Sequence, residues 1–101
     1  MYKVLISKAA KRDLKSAFEY IKYTLKNPVS AKNLITSSRS AFKSLENMPE
    51  RQPIVKDEYL SKFEIRILPI RNYLAFYNIK GKAVTIIRFL YSKIDWQKFL
   101  K

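Results

Sequence analysis

Residues 63–91, FEIRILPIRNYLAFYNIKGKAVTIIRFLY, constrain the fold of this chain more than any other stretch. They read as three consecutive β-strands, over 63–68, 72–79 and 83–91, rich in β-branched and aromatic residues. Pro69 cannot donate to a ladder, so it marks a sheet edge or a bulge. Lys80-Gly81 is expected to be the tight turn, with the single glycine where positive φ is needed. The run Val84-Thr85-Ile86-Ile87 has the character of a strand covered on both faces. Helices elsewhere with apolar stripes have only this sheet to cover.

Two such helices precede it. Residues 2–6 alternate as a short first strand, and Ser7 stands where an N-cap belongs. Ala10, Leu14, Ala17, Phe18, Ile21 and Leu25 then form one stripe, predicting a helix over 8–26. Asn27 is placed to cap a second helix and Pro28 to open it. That helix carries Ala31, Leu34, Ile35, Ser38, Ala41, Phe42, Leu45 and Met48, and Pro49 is expected to end it. So short a connection implies an antiparallel helical hairpin. Residues 49–62 read as the least regular part, with Pro49 and Pro53 in it. Ile54, Val55, Tyr59 and Leu60 there suggest partial packing, with a short irregular strand. The stretch is a functional loop or a connector. At the end, 95–100 read as one helical turn or a packed extension, with Trp96, Phe99 and Leu100 over the core. The expected fold is α+β: a short N-terminal strand, a helical hairpin packed on an antiparallel sheet, and a short C-terminal extension. Residues 1–101 form a single domain.

Composition narrows the chemistry. The 101 residues include no cysteine and no histidine. Disulfides, thiol nucleophiles, the usual zinc sites and histidine acid–base catalysis are thereby excluded. No metal or cofactor is expected. Any general acid or base must be Lys, Tyr, Asp or Glu. Twenty-one basic residues against eight acidic ones give a net charge of +13. That excess favours a polyanionic target or an acidic partner, or else reflects only a basic proteome or solubility. No run approaches the ~20 apolar residues of a membrane span, and a cytoplasmic protein is expected.

Three arginines fall among the apolar strand residues: Arg66, Arg71 and Arg88. A buried arginine is normally paired. Arg88 therefore either pairs with Glu64 or Asp95 at a rim, or lines an anion-binding face. Guanidinium groups grip phosphates bidentately, so three on one small sheet suggest a phosphate surface. Tyr73, Tyr77 and Tyr91 either stack on bases or donate a proton, or are half-buried core. The cluster Lys56, Asp57, Glu58 and Tyr59 offers acid–base groups or is a solvated loop. No nucleotide-binding glycine loop, metal-ligand spacing or nucleophile–base set is visible.

Taken together, the elements and their residues resemble the RelE/ParE superfamily of bacterial type II toxins. The resemblance rests on Ala10, Asp13, Leu14 and Ile21 in the first helix and NPVSAKNLI opening the second. It continues through Asn72, Tyr73, Leu74, Phe76 and Tyr77, and closes with Arg88, Leu90, Tyr91, Asp95, Trp96 and Leu100. It covers nearly the whole chain. It implies a growth-inhibiting toxin, of the kind also tied to plasmid stabilisation, neutralised in a hetero-oligomer by a cognate acidic antitoxin. RelE-like members are RNA interferases that cleave mRNA on the ribosome; ParE-like members poison DNA gyrase. For the ribonuclease branch the resemblance makes Arg66, Arg88 and Tyr91 catalytic. Tyr91 would move the proton, and Arg66, Arg88 and Lys93 would stabilise the phosphate's developing charge; Lys56, Arg71 and Lys93 are the candidate nucleic-acid-binding residues. The chain departs from that branch at Leu74 and Leu90, where a catalytic arginine and a histidine are expected. The first expectation is a ribosome-dependent nuclease, the alternative a gyrase poison, and a third reading a non-toxic nucleic-acid-binding module.

Overall fold

Both helix starts form as their capping residues dictate. The computed structural model describes residues 1–100. Strand β1 (Lys3–Ile6) leads into α1 (Lys8–Glu19), where the Ser7 hydroxyl accepts from the Ala10 N–H at 3.0 Å. The helix continues as a π-helical turn over Tyr20–Thr24 and ends at Lys26 in the left-handed region, φ 53°. The Asn27 side chain accepts from the Ser30 N–H at 3.1 Å and Pro28 opens α2 (Pro28–Ser44).

α2 stops before Pro49. Arg51 folds back to donate to the Ser44 carbonyl and hydroxyl, satisfying terminal acceptors of the helix. Pro49 instead starts a 3₁₀ turn, Pro49–Arg51. The loop that follows is more ordered than its prolines suggest. Ile54 bridges Arg66, Val55 donates to the Ile65 carbonyl, and a second 3₁₀ turn spans Leu60–Phe63.

The meander is β2 (Arg66–Ile70), β3 (Tyr73–Lys80) and β4 (Ala83–Tyr91). Phe63 belongs to the 3₁₀ turn, so β2 begins later than its apolar run suggested. The hairpin loop is Gly81-Lys82 rather than Lys80-Gly81, because Lys80 still pairs with Ala83; Gly81 supplies φ +59°. Sheet order is β1-β4-β3-β2. β1 pairs parallel with β4 and makes it central, whereas β2, with Pro69, lies at the edge.

Two apolar layers sandwich the sheet. On one face Ala10, Ala17, Leu34, Phe42 and Leu45 of the helical hairpin pack on Leu68, Ala75, Tyr77, Val84, Ile86 and Phe89. On the other, the 49–65 loop and the short α3 (Gln97–Leu100) cover Phe76 and Leu90. Trp96 lies 5.2 Å from the Phe76 ring, whereas Phe99 remains half exposed. One bulge sets the register. Tyr77 pairs with Ile86 and Phe76 with Arg88, so Ile87 is the extra residue. Simple alternation after Val84 and Ile86 would have sent Arg88 into the helix-side core. The bulge seats Phe89 there instead and places Arg88 beside Phe76 on the opposite face.

Candidate functional site

Arg88 is paired, though with neither expected residue. β1 covers β4 only as far as Ile86, and beyond it the outer edge of β4 is open. Asp13 of α1 fills that gap. Its carboxylate accepts from Arg88 Nε at 2.7 Å, from Arg88 Nη2 at 2.9 Å and from the Phe89 N–H at 3.0 Å. Only 14% of the Asp13 side chain and 23% of that of Arg88 are exposed. The bidentate hydrogen bonds raise the pKa of Arg88 and keep it charged. The same guanidinium donates to the Phe99 carbonyl at 3.3 Å and lies over the Phe99 ring. It therefore ties α1, β4 and α3 together. Glu64 and Asp95 are not its partners: Glu64 ends the second 3₁₀ turn and Asp95 meets Lys98 at 3.8 Å.

Arg66 is committed too. Its guanidinium donates to the backbone carbonyls of Glu50 and Gln52, fastening the loop across the end of β2. Arg66 pairs with Tyr77 and Tyr91 with Tyr73. Four residues of β3, roughly 13 Å, separate the two positions. Arg66, Arg88 and Tyr91 are thus not gathered around one point. Arg71 and Lys93 do share the Tyr91 end, flanking Asn72, whose carbonyl accepts from the Ser92 N–H. Arg71 sits in the β2–β3 turn with φ 54° and donates to the Ser37 hydroxyl at 2.9 Å. Lys56 lies beside Val55, near the opposite end of β2.

The Tyr91 end is where the surface is concave. A cleft of about 680 Å³ opens between the π-helical turn, the α1–α2 hinge and the ends of β3 and β4. Tyr20, Ile21 and Leu25 line one side; Tyr73, Phe89 and Tyr91 line the other. Tyr73 stacks on Phe89 at 5.1 Å and meets the edge of Tyr91 at 5.6 Å. Burial first, then the neighbouring Tyr91 and Tyr20, pushes the Tyr73 pKa up, so its phenol stays protonated at neutral pH. Tyr91 is 40% exposed. The cleft offers aromatic and apolar contacts with Asn72, Asn27 and Ser30 at its margin. Arg66 and Arg88 do not line it. Tyr77, by contrast, is fully buried and donates to the Pro49 carbonyl at 2.7 Å, a core role.

The cleft's Tyr20 wall was not foreseen, because the π-helical turn breaks the 3.6-residue period on which that stretch was read. The doubled tyrosine in EYIKYT was the available signal.

A helical hairpin over a four-stranded sheet, a three-stranded meander with β1 added in parallel, is the fold expected of a RelE/ParE-type toxin domain. Within that class the chain belongs to the ParE toxin family of the type II toxin–antitoxin system parDE, whose family model matches residues 4–96. The chain is similar in fold to a solved structure described as the chromosomal ParDE toxin–antitoxin system from P. aeruginosa. The two are 19% identical with a TM-score of 0.75, over 92% of this chain and 98% of that one. No curated protein matches the sequence.

Proposed function

We propose that this chain is a growth-arresting cytoplasmic toxin that acts on DNA gyrase, without cleaving RNA, and that a cognate acidic antitoxin holds it silent. The observation that carries the choice of target is the commitment of Arg88 to Asp13. An arginine whose Nε and Nη2 are both taken by an internal carboxylate is poorly placed to stabilise a phosphate in transition. Arg66 is likewise engaged by carbonyls. Leu74 and Leu90 stand where the ribonuclease branch carries catalytic groups, and both pack in the apolar layer around Phe76. Membership of the ParE family supports the same reading. The net charge of +13 suits an acidic antitoxin, and the hinge cleft offers its apolar side chains a seat.

The test is a gyrase supercoiling assay with the purified chain, alone and with the antitoxin encoded beside it. Inhibition that the antitoxin relieves is expected. Undiminished supercoiling at molar excess, from a preparation that still arrests growth on expression, would contradict the gyrase target.

A further inference from the structure

We infer that the outer face of α1 is a phosphate-backbone binding surface for nucleic acid, built by Lys8, Lys11, Arg12 and Lys15. At 3.6 residues per turn these four side chains fall within an arc of about 100°. All four are exposed, and none makes an ion pair among the described residues, where the two ion pairs are Arg88–Asp13 and Lys98–Asp95. Asp13, adjacent in sequence to Arg12, turns away from the arc and is consumed by Arg88. The one acid on the arc is Glu19, at the far end of the helix.

Folding does not account for this arrangement. Lys8/Lys11, Lys8/Arg12, Lys11/Lys15 and Arg12/Lys15 are like-charge neighbours at i,i+3 or i,i+4, and each opposes the helix. The first turn of α1 holds no acidic residue, so the cations also sit against the positive end of the helix dipole. A pattern with four opposed pairs against one favourable pair, Lys15/Glu19, calls for a ligand that compensates it. The spacing fits a phosphate chain. Lys8 to Lys15 spans about 10 Å of helix axis, which matches about three phosphate-to-phosphate steps, and so about four phosphates, of one strand of a duplex. One π-turn further on, Lys22 lies over the Phe18 and Tyr23 rings at 5.7 and 5.1 Å. Tyr23 is 64% exposed. The cationic face thus runs into an exposed aromatic ring, a combination suited to sugar–phosphate and base contacts. An acidic protein would be met by the whole +13 surface; the α1 row is the denser of the two bare cationic rows, four cations in two turns against Lys32, Arg39 and Lys43 over three turns of α2, and that density favours a linear polyanion. This inference stands whether or not gyrase is the target.

Fluorescence anisotropy with a labelled 20-bp DNA duplex, repeated with an RNA duplex of the same length, tests it on the full chain. Four phosphate contacts predict a drop in affinity of about 150-fold between 50 and 200 mM salt. The variant Lys8→Gln/Lys11→Gln/Arg12→Gln/Lys15→Gln should lose most of that salt dependence. Its melting temperature should be equal or higher, since like charges are removed. A control with the same net charge drawn from separate elements, Lys3→Gln/Lys26→Gln/Lys62→Gln/Lys80→Gln, should keep it. Should the stripe variant fail to fold, Arg12→Gln/Lys15→Gln is expected to halve the slope of log affinity against log salt. Stronger binding of one duplex identifies the nucleic acid. Equal losses in stripe and control variants would overturn the inference, as would polyglutamate binding as tightly as either duplex.

Discussion

The two ends of β3 carry similar residues and have opposite fates. At the Tyr77 end three side chains are used internally. The Tyr77 hydroxyl holds the Pro49 carbonyl, Arg66 holds the Glu50 and Gln52 carbonyls, and Tyr2 donates to the Glu50 carboxylate at 2.8 Å. Glu50 is held below the usual carboxylate range, first by its own backbone N–H and then by Tyr2. At the Tyr73 end the rings meet one another and then stop, leaving a cleft under the hinge. A tyrosine or arginine on a strand therefore does not identify a site. Whether the chain supplies an internal partner decides it, and here the partners are concentrated at one end. Asp13 and Arg88 stand between the two ends and close the side of the sheet that β1 leaves open.

The largest expected effect comes from breaking that closure. Asp13→Ala strips two hydrogen bonds from Arg88 and one from the Phe89 N–H, leaving partly buried donors without acceptors. A loss of about 2–4 kcal/mol is expected, read from urea unfolding. A loss below about 0.5 kcal/mol would mean that the β4 edge is satisfied without Asp13.

A smaller effect is expected at the closed end. Tyr77→Phe leaves the buried Pro49 carbonyl without its donor, at about 1–2 kcal/mol. The same residue sets a pH dependence. Burial raises the Tyr77 pKa above its ordinary value of 10.0. Between that value and the raised folded one, the unfolded chain has released the proton while the folded chain retains it. Stability is thus complete below pH 10 and falls as pH rises through the folded pKa. Unfolding at pH 8 and pH 11 should show a steep loss in the wild type and a shallower one in Tyr77→Phe, with Tyr73 and Tyr2, whose pKa values are also raised, contributing to what remains. Identical slopes would remove Tyr77 as the source.

Much of this architecture was legible because its determinants are local. The helix caps at Ser7 and Asn27-Pro28 and the turn at Gly81 each form within three residues, and the apolar runs of the meander specify its strands. The hidden parts are those whose partners lie far along the chain or carry no side-chain signal. Arg88 meets Asp13 across 75 positions, a contact created by the parallel seating of β1 on β4. Glu64 and Asp95 were merely nearer in sequence. The acceptors of Arg66 are backbone carbonyls, which any residue provides. The bulge at Ile87, which decides the face that Arg88 takes, leaves no mark in VTIIRFL, where apolar residues fall on both sides of Arg88. The cleft depended on a π-helical turn that periodicity misplaces.

The smallest structural effect belongs to the open end, and it carries the sharpest functional test. Tyr91 is exposed and its hydroxyl has no hydrogen-bond partner among the described residues, so Tyr91→Phe should change stability by less than about 0.5 kcal/mol. The measurement that decides between the two modes of toxicity is primer extension on a translated reporter message after a brief pulse of expression, comparing wild type with Tyr91→Phe. Equal growth arrest by both proteins, with intact message in both, is the predicted result. Codon-phased 5′ ends made by the wild type and lost in Tyr91→Phe would contradict the account and show that the cleft is a nuclease site.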